Sequence, residues 1–170
     1  MALAALVAYI PRDNQSPEGH MTDIADPKRL YIPALAPLYG GLGKYSYAFM
    51  RCVTGAILVP HGWVKLTTGA VPLGSIEKLG LPAPYFWAYA TACVEFFGAI
   101  MLAIGFFTRF AAASIIVEMS VIIAFLLWPN GYFWTKTGYE FALMWLLLCI
   151  GIFFRGGGEL SVDGMMKKEL

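Results

Sequence analysis

Four apolar stretches, separated by polar or glycine- and proline-rich connections, organise the sequence. The longest runs from Tyr85 to Phe107, and its one charged residue is Glu95. At ~1.5 Å of rise per residue a helix of this length reaches ~34 Å, enough to cross a hydrocarbon core of ~30 Å. The other stretches run from about Tyr45 to Val64, from about Phe110 to Trp128, and from Tyr139 to Phe154. The pattern predicts an all-α protein, an integral membrane four-helix bundle.

The remaining segments divide the chain into three parts. Residues 1–44 are predicted to form an N-terminal arm, partly interfacial, residues 45–155 the membrane domain, and residues 156–170 a C-terminal tail. Within the arm, Tyr31 to Gly43 mixes two prolines and three glycines with apolar residues, which favours coil over a long helix. In the first connection, Ser75 is predicted to cap a short helix that Gly80 ends, and a tight turn is predicted at Thr108-Arg109.

The basic residues predict an orientation. The N-terminal segment, the second connection and the tail carry Arg12, Lys28, Arg29, Lys44, Arg109, Arg155, Lys167 and Lys168. The first and third connections carry only Lys65, Lys78 and Lys136. Because lysine and arginine accumulate on the cytoplasmic side of a membrane, both termini are predicted to be cytoplasmic.

Composition supports the membrane class and narrows the chemistry. The chain is 59% hydrophobic and 14% charged, too apolar for an ordinary soluble domain of this length. A formal net charge of +1 and the lack of a basic run give no case for nucleic acid. The cysteines Cys52, Cys93 and Cys149 have no metal-ligand or redox spacing, so we expect buried small side chains and no metal site.

Charged residues inside the apolar stretches are the first functional candidates. A helical wheel places Glu95 on a face of mostly small residues, which predicts that this face packs against protein. Glu118 is a second intramembrane acid, and Arg51 is a base at a comparable predicted depth. The sequence therefore predicts a charge cluster in which Arg51 pairs with Glu95, Glu118 or both. The alternative is that Arg51 extends to the membrane interface as an anchor.

A second polar cluster is predicted near the opposite face, formed by His61, Lys65, Trp134 and Glu140. Histidine exchanges protons near neutral pH without a large shift of its pKa, which suits a partner for a ring oxygen of a quinone. Two alternatives stay open. His61 could cap its helix or bind a neighbouring carbonyl, and Glu140 could simply complement the positive end of its own helix.

An ordered set of residues between Tyr45 and Gly164 resembles the DoxX family of small bacterial four-helix membrane proteins. The set comprises Arg51 with Gly55, His61-Gly62, Lys65, Gly80-Leu81-Pro82, Val94-Glu95 with Gly98, Gly105 with Thr108-Arg109, Tyr139-Glu140, and Ser161 with Asp163. Some members look like the membrane subunit of thiosulfate:quinone oxidoreductase, and others are linked to thiol redox homeostasis. The resemblance implies a multi-pass protein of the bacterial cytoplasmic (inner) membrane.

The resemblance leaves the reaction open between classes of function. The first is an integral membrane subunit of a quinone-linked, sulfur or thiol redox system, with quinone as the possible cofactor. The second is a non-catalytic accessory or structural subunit of a larger membrane complex, and a carrier using Glu95 and Glu118 is the third. The sequence carries no haem, iron-sulfur or nucleotide motif that would hold an electron carrier. The partners expected are membrane lipid and other membrane or peripheral subunits.

Overall fold

A computed structural model describes residues 26–168, and this part of the protein consists of helices joined by turns and short coils. No strand occurs in this part. The α-helices are α1 (Ala36–Thr68), α2 (Leu73–Lys78), α3 (Pro84–Cys93), α4 (Ala99–Ile104), α5 (Thr108–Val121), α6 (Glu140–Arg155) and α7 (Val162–Met166). Two π-helical segments, Val94–Gly98 and Ile122–Leu127, continue α3 into α4 and extend α5. Short 3-10 turns occupy Pro27–Arg29, Pro33–Leu35, Trp128–Asn130 and Trp134–Lys136.

Two of the described helices are long and apolar enough to cross a membrane. They are Pro84–Ile104 and Thr108–Asn130, joined by the turn at residues 105–107. Helical structure is found over all four predicted apolar stretches, and these two also have the length and apolar character of a span. The described residues divide into two compact units between residues 46 and 47, and the second unit contains both of these helices.

The predicted coil from Tyr31 to Gly43 is wrong, because α1 begins at Ala36 and continues through the glycines. Pro37 lies in the first helical turn, where its missing N–H has no intrahelical partner to lose. Each glycine costs only about 1 kcal/mol relative to alanine inside a helix, which a long helix tolerates. Tyr31 and Pro33 lie ahead of α1, with Pro33 opening a 3-10 turn.

The two predicted connections differ from the structure in detail. Helix α2 forms and Gly80 follows it at φ +66°, but Pro72 rather than Ser75 precedes its first turn. The second connection turns at Gly105 and Phe107, whose φ values are +73° and +46°, so Thr108-Arg109 already begins α5. Helix α5 begins two residues before the predicted start at Phe110, because the side chain of Asp163 caps it. Asp163 lies 55 residues from Thr108 in sequence.

Glycines fix the register of α1 against the α3–α4 segment. A Cβ atom at Gly55 would lie 2.7 Å from the backbone nitrogen of Ala103, and one at Gly62 would lie 2.6 Å from the carbonyl carbon of Glu95. Real Cβ atoms do not approach backbone so closely, so both positions require glycine for this helix contact. Gly62 therefore sets the level of Glu95, and Lys65 lies one helical turn beyond it.

Small residues fill the centre of the second unit. The predicted face around Glu95 is buried, with Ala88, Ala92 and Ala99 fully inaccessible. The core continues through Leu58, Leu102, Ala111, Ala112, Ile115, Met119, Ala142, Cys149 and Ile152. Close packing of small side chains lets the helices approach one another, and it positions the charged residues that lie among them.

Candidate functional site

Lys65, Glu95 and Glu118 form the charge cluster in the structure. The Lys65 Nζ atom lies 2.6 Å from Glu95 Oε2, although the contact lacks the directed geometry of a hydrogen bond. Glu95 is 5% exposed and Glu118 is 7% exposed, and Glu118 interacts electrostatically with both Glu95 and Lys65. One ammonium group thus faces two carboxyl groups.

The predicted pairing of Arg51 with these acids is wrong. Arg51 is 2% exposed and donates instead to the carbonyl oxygens of Leu102, Ala103 and Leu160, at 2.9, 3.1 and 2.8 Å. The glycine contacts explain the error, because Gly62 sets the level of Glu95 and Arg51 lies three turns away from Gly62 along α1. The alternative of an interfacial anchor for Arg51 does not describe this buried side chain either.

Arg51 belongs instead to a separate group of polar side chains, which joins the C-terminal tail to the helices. Asp163 accepts hydrogen bonds from the backbone N–H groups of Phe107 and Thr108, at 2.8 and 2.9 Å, and from the Thr108 hydroxyl at 2.6 Å. Ser161 caps α7 by accepting from the N–H of Gly164 at 2.8 Å. We call the side chains of Arg51, Thr108 and Asp163 the tail clamp.

The tail clamp determines the protonation of its carboxyl group. Burial by itself raises the pKa of Asp163, but the hydrogen bonds from Thr108 and Phe107 and the nearby Arg51 charge outweigh burial. The net effect is a pKa below the ordinary value for aspartate, so Asp163 is ionised at neutral pH. The sequence did not predict this role, and the signal available was the Ser161-x-x-Gly164 spacing of a helix start.

Glu118 stands in contrast to Asp163, because neither of its carboxyl oxygens has a hydrogen-bond partner among the described residues. A buried acceptor without a donor costs about 1–3 kcal/mol, and more if it is charged. A buried carboxyl group that lowers stability in this way is a candidate for a functional role.

Irregular helix geometry surrounds the same carboxyl groups. Glu95 lies within the first π-helical segment, and the second begins at Ile122, one turn after Glu118. Single π-helical turns are rare and frequently occur at functional sites, since they redirect side chains and loosen the backbone ladder. Both carboxyl-bearing helices therefore depart from regular α-geometry at the level of the charge cluster.

A cavity of about 790 Å³ opens beside the charge cluster. Its walls come from α2, α3, α5 and the second π-helical segment, and most of their surface is apolar. Lys65 and Glu118 are its charged lining residues, and Trp87 supplies an aromatic wall. The cavity-lining residues of the Thr108–Asn130 segment run from Phe110 to Asn130, which places Glu118 ~12 Å from one end and ~18 Å from the other.

The members of the predicted second cluster have different partners in the structure. The carboxylate of Glu140 accepts from the backbone N–H of Trp134 at 3.1 Å, so these two residues lie together. Lys65 pairs with Glu95, and the His61 ring meets the edge of Trp145 at a centroid distance of 6.3 Å. Glu140 is the first residue of α6, where a negative charge suits the helix end.

Two of the three cysteines differ from their predicted burial. Cys149 is buried, whereas Cys52 and Cys93 are exposed on the described surface, where a membrane helix would meet lipid or another chain. Among the described residues, no group of three His, Cys, Asp or Glu side chains is placed to hold a metal ion.

Comparison with known proteins supplies the family of this chain. The DoxX family model matches residues 46–128. An uncharacterized protein of Haemophilus influenzae is 30% identical over 129 residues, which cover 74% of this chain and 93% of the relative. An uncharacterized membrane protein of Mycobacterium tuberculosis is 25% identical over 148 residues, which cover 81% of this chain and 91% of the relative. No solved structure matches the chain.

The apolar helices, the buried charges and these relatives define a helical membrane protein. The chain belongs to the DoxX family.

Proposed function

We propose that this protein binds a lipophilic ring compound of the quinone class in the cavity beside Lys65 and Glu118, as a membrane subunit of a redox system. The observation that carries the proposal is an apolar cavity of about 790 Å³ with an amine and a carboxyl group on its wall. Small-molecule sites have volumes of about 300–1,000 Å³ and few polar groups, so the cavity has a suitable size and character.

The chemistry of a quinone ring fits these two side chains. Its oxygens accept hydrogen bonds in the oxidised form and donate them in the reduced form. Lys65 offers three N–H donors, of which the Glu95 contact occupies one direction, and Glu118 offers carboxyl oxygens. The proposal therefore keeps Lys65 from the predicted set of His61, Lys65, Trp134 and Glu140, and it replaces the other three residues by Glu118.

The chain's own residues would hold and orient the ring rather than supply electrons. Electrons would come from a partner subunit or from a sulfur or thiol substrate, since the sequence carries no motif for an electron carrier. The apolar walls would exclude water from the ring, and Lys65 and Glu118 would contact its oxygens. The proposed redox role therefore requires either a partner subunit or a reducing substrate within or beside the membrane.

We further propose four membrane spans, with both termini on the cytoplasmic side of the bacterial inner membrane. The distribution of lysine and arginine supports this orientation. A cysteine placed at Ser75 in a chain whose own cysteines are replaced should react with an impermeant reagent from outside the cell. Labelling of that cysteine only from the cytoplasmic side would contradict the proposed orientation.

The binding proposal is tested by purification from its native membrane in mild detergent, followed by mass spectrometry of the extracted lipophiles. Ala113 lines the cavity, and Ala113→Phe should fill it and abolish co-purification of a quinone. Ser120 lies exposed on the same helix outside the cavity lining, so Ser120→Phe is the matched control and should retain the quinone.

Two results would reject the binding proposal. One is equal quinone retention in both variants, which would show that the lipophile binds elsewhere. The other is a wild-type protein free of quinone that purifies with another polypeptide in fixed ratio. That second result would favour the non-catalytic accessory subunit.

A further inference from the structure

We infer that Glu118 makes the cavity selective for ligands that carry a hydroxyl donor, so that a lipophilic phenol binds in preference to its methyl ether. The inference rests on the proposed binding function and adds the chemical feature that the site recognises. It concerns hydrogen bonding at the ligand and requires no electron transfer.

The position of Glu118 gives the first part of the argument. Its side chain is 7% exposed, lines the cavity and has no hydrogen-bond partner at either carboxyl oxygen among the described residues. The nearest base is Lys65, whose ammonium group is 2.6 Å from Glu95. Glu118 therefore has an unmet capacity to accept hydrogen bonds.

Four polar side chains of the cavity wall give the second part, because their donors are already used. The hydroxyls of Thr91 and Ser114 donate to carbonyl oxygens of their own helices, each at 2.9 Å. The Trp87 indole N–H donates to the carbonyl of Pro82 at 3.0 Å, and the Asn130 amide donates to the carbonyl of Thr137 at 3.1 Å. These four side chains therefore have no spare donor for Glu118, and a ligand hydroxyl can supply one.

The protonation state of Glu118 does not alter this conclusion. An ionised carboxylate accepts at both oxygens, and a protonated carboxyl group still accepts at its carbonyl oxygen. Lys65 from α1 and Glu95 from the first π-helical segment are the charged groups that act on it. In either state a ligand hydroxyl gains a buried acceptor that an ether oxygen cannot use, worth about tenfold or more in affinity.

The test compares 4-nonylphenol with 4-nonylanisole, which differ by one methyl group at the ring oxygen. Equilibrium binding to the full chain in lipid nanodiscs is measured at neutral pH, with partitioning into empty nanodiscs subtracted. We expect the wild type to prefer the phenol by about tenfold or more. Glu118→Leu and Glu118→Met should abolish the preference, and Glu118→Gln should keep most of it because the amide oxygen accepts.

The outcomes separate the two proposals. If both probes bind with the same ratio in the wild type and in Glu118→Leu, the selectivity is refuted while the cavity keeps its proposed function. If neither probe binds to the wild type, the proposed function fails and the selectivity fails with it. Glu140→Gln, which lies outside the cavity lining, is the control and should leave the ratio at the wild-type value.

Discussion

The tail clamp and the charge cluster are both built from buried charged side chains, but only the first satisfies most of them. Arg51 makes three hydrogen bonds and leaves its Nε without a partner, and Asp163 accepts three. In the charge cluster, Lys65 meets Glu95 while both oxygens of Glu118 lack partners among the described residues. The clamp has the bonding expected of a structural element, and the charge cluster has the bonding expected of a ligand site.

The surroundings of the two clusters reinforce this difference. The tail packs closely at the clamp and fills the space there. The backbone N–H of Asp163 donates to the carbonyl of Gly105 at 2.9 Å, and a Cβ atom at Gly105 would collide with Arg51. The charge cluster instead borders a cavity of about 790 Å³. Mutations should therefore act on folding at the clamp and on binding at the charge cluster.

The largest loss of stability is expected from Arg51→Ala. Three carbonyl oxygens would lose their donor and Asp163 would lose a favourable charge, which should cost about 3–5 kcal/mol. Thermal unfolding in detergent checks this against Lys167→Ala, a change at an exposed residue that should leave stability within about 0.5 kcal/mol. An unchanged unfolding temperature for Arg51→Ala would contradict the clamp.

The next largest effect is expected from Asp163→Ala, which removes a charged cap with three hydrogen bonds and should cost about 2–3 kcal/mol at neutral pH. Because the pKa of Asp163 is lowered by folding, its contribution is present above the unfolded-state value of 3.8. That contribution is lost as the pH falls from there through the lower folded-state pKa. Denaturant unfolding of the wild type and Asp163→Ala between pH 7 and pH 2 should show the two stabilities converging in acid, and a constant difference would contradict this account.

A smaller effect, about 1–3 kcal/mol, is expected from Gly62→Ala, because the added methyl group would push α1 away from the Glu95 backbone. The same substitution at Gly41, in the same helix but in open space, should stabilise by up to about 1 kcal/mol. Unfolding temperatures of the two variants in one detergent provide the comparison. If Gly62→Ala were as stable as Gly41→Ala, the glycine contact would not set the level of Lys65 and Glu95.

Hydrophobic pattern predicted much of the fold but not the pairing of its charges. The apolar stretches and the buried face of Glu95 follow from helical periodicity, which is a local property of the sequence. The partner of Glu95 depends on the level at which α1 meets the α3–α4 segment, and two glycines set that level through contacts more than 30 residues apart in sequence. The depth of Arg51 in the membrane was counted from a helix start near Tyr45. This count failed because α1 begins at Ala36.

The tail clamp and the cavity were missed for a related reason. Asp163 caps a helix that begins 55 residues earlier, and the cavity is enclosed by α2, α3 and α5 together. Neither feature has a signature within one segment.

The central claim is that Glu118 costs stability and is retained for a ligand, and the unfolding temperature of Glu118→Leu in ligand-free detergent tests it most directly. Replacing an unpartnered buried carboxyl group by an apolar side chain of similar size should stabilise the free protein by about 1–2 kcal/mol. The account predicts a higher unfolding temperature for Glu118→Leu than for the wild type, and it predicts that 4-nonylphenol raises the unfolding temperature of the variant no more than 4-nonylanisole does. A lower unfolding temperature for Glu118→Leu, with the phenol-induced increase intact, would contradict it.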